Sequence, residues 1–167
     1  HSIYRVKHQG LEHIPNKGGA MIVCNHVSYV DALLLAGAVR RPIRFIMFKP
    51  IYEIPVLNFI FRTGGAIPIC SRKHDEQGYE RAMNEIAAGL EQGHLLCIFP
   101  EGMVPEEDIK LAEFKDGAFR LAINHKIPIV PITFFDNKKR FSYTFFSGGP
   151  GLLRVKMHEF LPTDHLK

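Results

Sequence analysis

The chain contains five nearly continuous runs of apolar, often β-branched residues. They lie at residues 20–24, 43–48, 66–70, 94–99 and 127–135. Successive side chains of a strand point to opposite faces of its sheet, so a run without polar alternation predicts a strand that is buried on both faces. This pattern is typical of a parallel sheet covered by helices on its two sides.

Helical periodicity appears between these runs. The clearest helix has its apolar positions at i, i+4, i+7 and i+11, namely Tyr79, Met83, Ile86 and Leu90. Gly93 follows as a stop signal, and we assign the stripe to core packing rather than to a cofactor site. Shorter helices are predicted over residues 30–39 and 116–126, the second ending before Pro128.

Near the C-terminus, residues 141–146 and 152–161 flank a Gly- and Pro-containing segment and predict a hairpin or a looser strand pair at the edge of the sheet.

In the rest of the chain, predicted strands and helices alternate. The sequence therefore predicts an α/β fold, a single-domain sandwich with a largely parallel or mixed central sheet flanked by helices. In such sheets ligands bind beyond the carboxyl ends of the strands, so chemistry is expected after Cys24, Cys70 and Phe99.

Composition and charge narrow the class of partner. A chain of 167 residues with 46% hydrophobic residues forms one domain, residues 1–167. Its net charge of +4 comes with basic clusters, among them Arg40, Arg41 and Arg44, which predict anionic partners. No nucleic-acid partner is expected, because zinc-finger spacing and RNA-binding signatures are missing from the sequence, whereas an anionic membrane surface needs only scattered basic clusters. The odd count of three cysteines fits buried, reduced thiols in a cytosolic setting.

Candidate chemistry follows the first run. His26 and Asp31 are five positions apart. On a continuous helix they would lie about 140° apart and could not meet, but they can meet if His26 lies on a turn and Asp31 in the first helical turn. Asp31 would then accept a hydrogen bond from one ring nitrogen and leave the other as a base. Taken alone, a His near an Asp is more often structural than catalytic.

A second turn follows the fourth run at Glu101 and Gly102. One interpretation is a tight turn with Gly102 at positive φ and a solvated or capping Glu101. The other is that Glu101 organises a polar pocket while Lys115 and the amides that begin the next helix face an anionic group.

Together these motifs resemble the glycerolipid acyltransferase family, which includes bacterial 1-acylglycerol-3-phosphate acyltransferase. Residues 25–31 match its Asn-His-x4-Asp block, residues 65–69 followed by Arg72 resemble its Gly-x-Ile-x-Ile block, residues 99–102 match Phe-Pro-Glu-Gly, and residues 128–131 match Pro-Ile-Val-Pro. Four blocks in the right order are far more specific than any one of them.

The resemblance implies an enzyme that moves a fatty acyl group from acyl-CoA or acyl carrier protein to the free hydroxyl of a lysophospholipid, giving phosphatidic acid from 1-acylglycerol-3-phosphate. His26 would be the general base and Asp31 would fix its tautomer, with no cofactor and no metal. The resemblance places substrate binding at a further set of residues, namely Asn25, Lys49, Gly65, Arg72, Glu101, Gly102 and Lys115. The apolar residues 51–61 would line an acyl groove, touch lipid or form ordinary core.

Two departures from the family pattern concern phosphate recognition. Met103 and Val104 occupy the positions of the usual Thr-Arg, and Arg72 comes one position late. The acceptor is thus either 1-acylglycerol-3-phosphate or another lysolipid such as lysophosphatidylethanolamine. Two further alternatives are a non-catalytic lipid-binding module and a thioesterase or lipase with Cys24 as its nucleophile.

The sequence and the family resemblance together predict where the protein is located. The longest apolar run, residues 54–61, is far shorter than the roughly 20 residues of a spanning helix. The chain begins at His1 rather than Met, so we expect a catalytic domain excised from a longer chain with an N-terminal membrane-associating segment. The fragment is expected to be peripheral, at the cytoplasmic face of a membrane, with Arg40, Arg41, Arg44 and residues 51–61 in contact with the surface.

Overall fold

The computed structural model of the chain describes residues 4–28, 30–104, 111–135 and 151–166. Within them the strands are β1 Tyr4–Gln9, β2 Ala20–Cys24, β3 Ile43–Phe48, β4 Ile67–Ile69, β5 Leu95–Ile98, β6 Ile129–Phe135 and β7 Gly151–Met157. The helices are α1 Asp31–Ala38, α2 Lys49–Tyr52, α3 Leu57–Thr63, α4 Glu76–Glu91 and α5 Gly117–Asn124. All five predicted strands are present within one to two residues of their expected bounds.

These strands form one mixed sheet in the order β1-β7-β6-β2-β5-β3-β4. The five strands from β6 to β4 are parallel to their neighbours, β7 is antiparallel to β6, and β1 is parallel to β7. The predicted α/β class, with a largely parallel or mixed sheet flanked by helices, is confirmed. β2 lies at the centre, between β5 and β6.

The sheet has a core on each face, which explains why β2 shows no polar alternation. Ala20, Ile22 and Cys24 pack on one face, in a cluster that includes Leu35 of α1. Met21 and Val23 pack on the other, in a cluster that includes side chains of α4 and α5. Every residue of β2 is buried, so both odd and even positions must be apolar.

The longest helix, α4, contains the predicted stripe and ends at Glu91, two residues before the predicted stop at Gly93. Its N-cap, Asp75, accepts a hydrogen bond of 2.7 Å from the Gly78 N–H. Ile86 and Leu90 are buried as expected. The assignment of the whole stripe to core packing is incomplete, because Tyr79 and Met83 are only half-buried and line a cavity.

The prediction for the C-terminal strand is partly wrong. β7 is not an edge strand, because β1 pairs with its outer side over residues 4–9. Its antiparallel partner is β6. The predicted partner segment, residues 141–146, lies outside the described residues.

Two of the three clustered arginines have structural roles at the amino end of β3. The Arg41 guanidinium donates to the carbonyl oxygens of Pro15, Gly18 and Gly93. Arg44 donates to the Gly65 carbonyl and pairs with Glu85. Both guanidinium groups already have partners, and residues 51–61 lie beyond the opposite end of β3. These contacts favour structural roles for Arg41 and Arg44, and contact of the arginines with a membrane stays a prediction.

Candidate active site

The turn after β2 carries His26, and Asp31 is the first residue of α1. The His26 Nδ1 atom lies 3.2 Å from Asp31 Oδ2. This is the arrangement expected for a histidine on a strand-to-helix turn. His26 retains 19% of its side-chain exposure, while Asp31 is fully buried.

Asp31 accepts hydrogen bonds from the backbone of the turn as well as from the histidine. Its Oδ2 atom also accepts hydrogen bonds of 2.8 Å from the Val27 and Ser28 N–H groups. A carboxylate only accepts, so the Nδ1 atom of His26 carries the proton in this hydrogen bond. In the neutral imidazole Nε2 then keeps its lone pair, which is the requirement for a general base.

Glu101, which lies directly beyond the Phe99 and Pro100 that follow β5, fixes the same turn from the neighbouring strand. One carboxylate oxygen accepts a hydrogen bond of 2.6 Å from the His26 N–H, and the other accepts one of 2.8 Å from the Ala112 N–H. Its side chain is buried. Glu101 is thus neither a solvated charge nor a helix cap; it joins the His26 turn to the segment around Ala112.

Asn25 holds the turn from the other side. Its side-chain amide donates to the Phe134 carbonyl at 3.2 Å and accepts from the Phe134 N–H at 2.8 Å. Both ends of the amide are therefore engaged with β6. This pairing favours a structural role over the predicted contact with substrate.

The ring of Phe99 connects His26 with a cavity. The two rings stack with centroids 4.2 Å apart and an interplanar angle of 26°. Phe99 also lines a cavity of about 530 Å³ between the sheet, α4 and α5. Its walls include apolar side chains from all three, namely Met21, Ile46, Ile69, Met83, Ile86, Ile98 and Leu121. The apolar segment 51–61 does not line this cavity.

Three of the predicted binding residues line the cavity: Arg72, Gly102 and Lys115. Gly102 has a φ of 73°, as the tight-turn interpretation predicts, and a Cβ atom there would lie 2.8 Å from Lys115 Nζ. Lys115 also donates its backbone N–H to the Pro100 carbonyl at 3.0 Å. Arg72 pairs with Glu76 and Glu80 of α4, at 3.2 and 2.9 Å.

Lys49 and Gly65 do not line the cavity. Lys49 Nζ lies 3.3 Å from Asp75 Oδ2. The pKa of Asp75 is lowered, first by the hydrogen bond from the Gly78 N–H and then by Lys49. Gly65 precedes β4 at its amino end, where its carbonyl accepts from Arg44. The structure therefore gives both residues structural partners.

Met103 and Val104 occupy the positions of the usual Thr-Arg of the family. Met103 is exposed and Val104 is buried. Position 104 thus contributes no cation to the site. Met103 and Val104 directly follow Gly102, which lines the cavity.

Cys24 lies directly before the turn in a fully buried position. Its Sγ atom is 3.7 Å from Cys97 Sγ on the neighbouring strand β5, and both cysteines are free. Burial raises the pKa of the Cys24 thiol well above its usual range, with further contributions from Cys97 and from the charge of Asp31. A protonated, buried thiol is a poor nucleophile, which argues against the thioesterase alternative.

The family model for acyltransferases matches residues 5–135, which contain the His26 turn, Glu101 and Lys115. The chain belongs to the acyltransferase family. The resemblance derived from the four sequence blocks is thereby confirmed.

Two plant members of the acyltransferase family are similar in sequence to this chain. The chloroplastic 1-acyl-sn-glycerol-3-phosphate acyltransferase BAT2 of Brassica napus is 29% identical over 137 residues, which cover 81% of this chain and 39% of that protein. LPAT1 of Arabidopsis thaliana, which has the same printed activity, is 28% identical over 137 residues, with 81% and 37% covered. The chain thus spans less than two fifths of the length of these two relatives.

A solved acyltransferase structure has the same fold. The crystal structure of the 1-acyl-sn-glycerophosphate acyltransferase PlsC from Thermotoga maritima matches with a TM-score of 0.81, covering 98% of this chain and 64% of that one. Sequence identity is 24%. The described part of this acyltransferase-family chain contains no helix long and apolar enough to cross a membrane.

Sequence reasoning missed two contacts around His26. The stacking of Phe99 on the imidazole was not predicted, although Phe99 belongs to a recognised block. The pairing of Asn25 with Phe134 was also missed, because residues 109 positions apart give no local signal.

Proposed function

We propose that the chain transfers a fatty acyl group from an acyl thioester, acyl-CoA or acyl carrier protein, to the free hydroxyl of a lysophospholipid. The favoured acceptor is 1-acylglycerol-3-phosphate, which would give phosphatidic acid. The observation that carries the proposal is the 3.2 Å contact between His26 Nδ1 and Asp31, which leaves Nε2 as a base. No cofactor is required by this proposal.

The proposed reaction uses His26 in two proton transfers. Nε2 takes the proton of the acceptor hydroxyl while that oxygen attacks the thioester carbonyl carbon. The C–S bond then breaks, and the departing sulfur takes the proton from Nε2 to leave as a thiol. Asp31 balances the positive charge of the imidazolium between the two steps and keeps the ring orientation fixed.

The cavity beside Phe99 suits an amphipathic substrate. Its apolar walls fit a fatty acyl chain, because such walls bury hydrocarbon without leaving polar groups unpaired. Lys115 places positive charge at the same cavity and suits an anionic headgroup, whereas Arg72, which also lines the cavity, is paired with Glu76 and Glu80. Asp116, which also lines the cavity, is paired with Arg120 at 2.8 Å.

A second acceptor class is favoured by one observation. Val104, buried where the family usually has an arginine, removes one cation from the headgroup region. A phosphate monoester carries more negative charge than a phosphodiester, so the loss of a cation weakens binding of the monoester more. An acceptor such as lysophosphatidylethanolamine is therefore the alternative.

For either acceptor we propose a peripheral location at the cytoplasmic face of a membrane. The three free cysteines support this location, because thiols stay reduced in the cytosol.

A panel of acceptors tests the proposal. The chain is incubated with labelled acyl-CoA or acyl carrier protein and with 1-acylglycerol-3-phosphate or lysophosphatidylethanolamine, and kcat/KM is measured for each pair. We expect the phosphate monoester to give the highest value. A higher value for lysophosphatidylethanolamine would identify the alternative acceptor, and no product from any pair would contradict the proposed catalysis.

Lys115→Ala supplies the matched binding test. We expect it to raise the acceptor KM by about tenfold, the loss of one charge-assisted contact, with kcat less affected. Lys156→Ala is the control, because Lys156 is an exposed lysine on β7. Equal effects of both substitutions on KM would contradict a headgroup role for Lys115.

A further inference from the structure

The end of β3 and the segment after it expose apolar side chains that belong to neither core cluster. We call this set the apolar ridge: Phe48, Ile51, Ile54, Val56, Phe59 and Ile60. No residue of α2 or α3 is buried. The alternative that residues 51–61 form ordinary core is therefore wrong. Contiguous exposed apolar surface of this kind marks an interaction site.

The outermost part of the ridge is a turn with unusual backbone geometry. Val56 has φ 71° and ψ −52°, and the Leu57 N–H donates to the Pro55 carbonyl at 2.9 Å. This is a γ-turn in its rare form with positive φ, which is strained, and strained most for a β-branched residue. The strained turn leaves the Val56 side chain 82% exposed. Strain that holds an apolar group in water indicates a partner that covers it.

Two exposed cations follow the ridge along the chain. Glu53 is the only charged residue among residues 50–61. Arg62 follows at the end of α3, and Lys73 follows β4; both are exposed and neither forms an ion pair with a described residue. An apolar segment followed by exposed cations matches the interface of an anionic bilayer. A second copy of the chain would bring the same cations together and is disfavoured.

The ridge is continuous with the cavity. Phe48, at the carboxyl end of β3, is half exposed and also lines the cavity next to Phe99. β3 and β2 are both parallel to β5, so the ridge and His26 lie at the same edge of the sheet. A surface held at the ridge would therefore present its lipids to the cavity mouth.

We infer that the turn of residues 55–57 is a lipid-insertion tip, by which the protein rests on an anionic bilayer with Phe48 between the bilayer and the cavity. Insertion of the tip does not depend on catalysis. Only the delivery of a lysolipid past Phe48 rests on the proposed function.

The chain contains no tryptophan, so one introduced tryptophan reports on insertion without background. The test uses Val56→Trp with vesicles of phosphatidylcholine and phosphatidylglycerol, some carrying brominated acyl chains. We expect a blue shift of the emission and quenching by the brominated lipid. Val6→Trp on β1 is the matched control, because Val6 is an exposed valine at the far edge of the sheet. It should show neither effect.

Phe59→Trp, at a position that is 73% exposed on α3, repeats the measurement if the first variant does not fold. Unchanged emission from the ridge tryptophan in the presence of vesicles would overturn the inference. A blue shift that depends on protein concentration without vesicles would overturn it too, since the ridge would then bind a second copy.

Val56→Asp tests whether turnover of a vesicle-embedded lysolipid depends on insertion of the tip. We expect vesicle affinity to fall by about tenfold or more, because one well-inserted valine side chain is lost. Product formation from vesicle-embedded lysolipid should fall with it, while turnover of a monomeric short-chain lysolipid should not change. Equal losses on both acceptors would overturn the inference. Insertion of Val56→Trp by a chain that turns over no acceptor would refute only the proposed function.

Discussion

The backbone N–H of His26 donates to a carboxylate oxygen of Glu101 at 2.6 Å, although 75 positions separate the two residues. The other oxygen of the same carboxylate holds the Ala112 N–H. Glu101 therefore fixes the backbone of His26, the proposed base, without touching the imidazole nitrogens. Its geometry is that of a positioning residue.

Glu101→Gln should lower both stability and turnover. A glutamine would present an NH2 group to one of the two N–H donors, leaving a buried donor unpaired at a loss of about 1–3 kcal/mol in the free energy of unfolding. We expect kcat to fall while the acceptor KM changes little. Denaturant unfolding and steady-state kinetics measure the two effects. Glu113→Gln, an exposed carboxylate in the same segment, is the control and should change neither.

His26→Ala should abolish measurable acyl transfer while the fold and vesicle binding persist. Removal of a general base lowers the rate by about 10² to 10⁴. Circular dichroism and vesicle sedimentation confirm the folded state beside the assay. His165→Ala, at an exposed histidine, should leave the rate unchanged. Near-normal turnover in folded His26→Ala protein would reject His26 as the base.

Asp31→Asn should damage kcat more than the acceptor KM. An asparagine NH2 next to Nδ1 favours the wrong tautomer, and in comparable triads this lowers kcat by on the order of 10² to 10⁴. Asp164→Asn is the control, because Asp164 is an exposed aspartate that does not line the cavity. A change confined to KM would reassign Asp31 to substrate binding.

Cys24→Ala should keep its activity. The thiol is buried and its pKa is raised, so it supplies no thiolate for catalysis. We expect the free energy of unfolding to fall by about 0.5–3 kcal/mol, as for other core substitutions. Cys97→Ala, at the adjoining buried thiol, should behave alike. Loss of turnover in Cys24→Ala alone would restore the thioesterase alternative.

The strands and the His26 turn could be predicted because their signals are local. Unbroken apolar runs reflect burial on two faces, and the five-residue spacing of His26 and Asp31 requires a turn followed by a helix. The four family blocks added the identity of the site. These features depend on residues close together in sequence.

The features that the sequence did not predict depend on long-range pairing or on exposure. Asn25 has the character of a ligand-binding residue, yet its amide is used by Phe134, on a strand more than 100 residues away. β7 was predicted at the edge of the sheet, but β1 pairs with its outer side and occupies the edge instead. Residues 51–61 have a core-like composition, but they form α2, a turn and α3, and no residue of these two helices is buried.

The central position of β2 has a consequence for which parts of the molecule open first. The turn after β2 is tied to both neighbouring strands, through Asn25 to β6 and through His26 to the segment after β5. Its amides should therefore belong to the slowest class in hydrogen–deuterium exchange, released only when the centre of the sheet separates. The amides of α3 should exchange fastest, through local opening. The edge that we propose to meet the lipid can thus fluctuate while His26 stays in place.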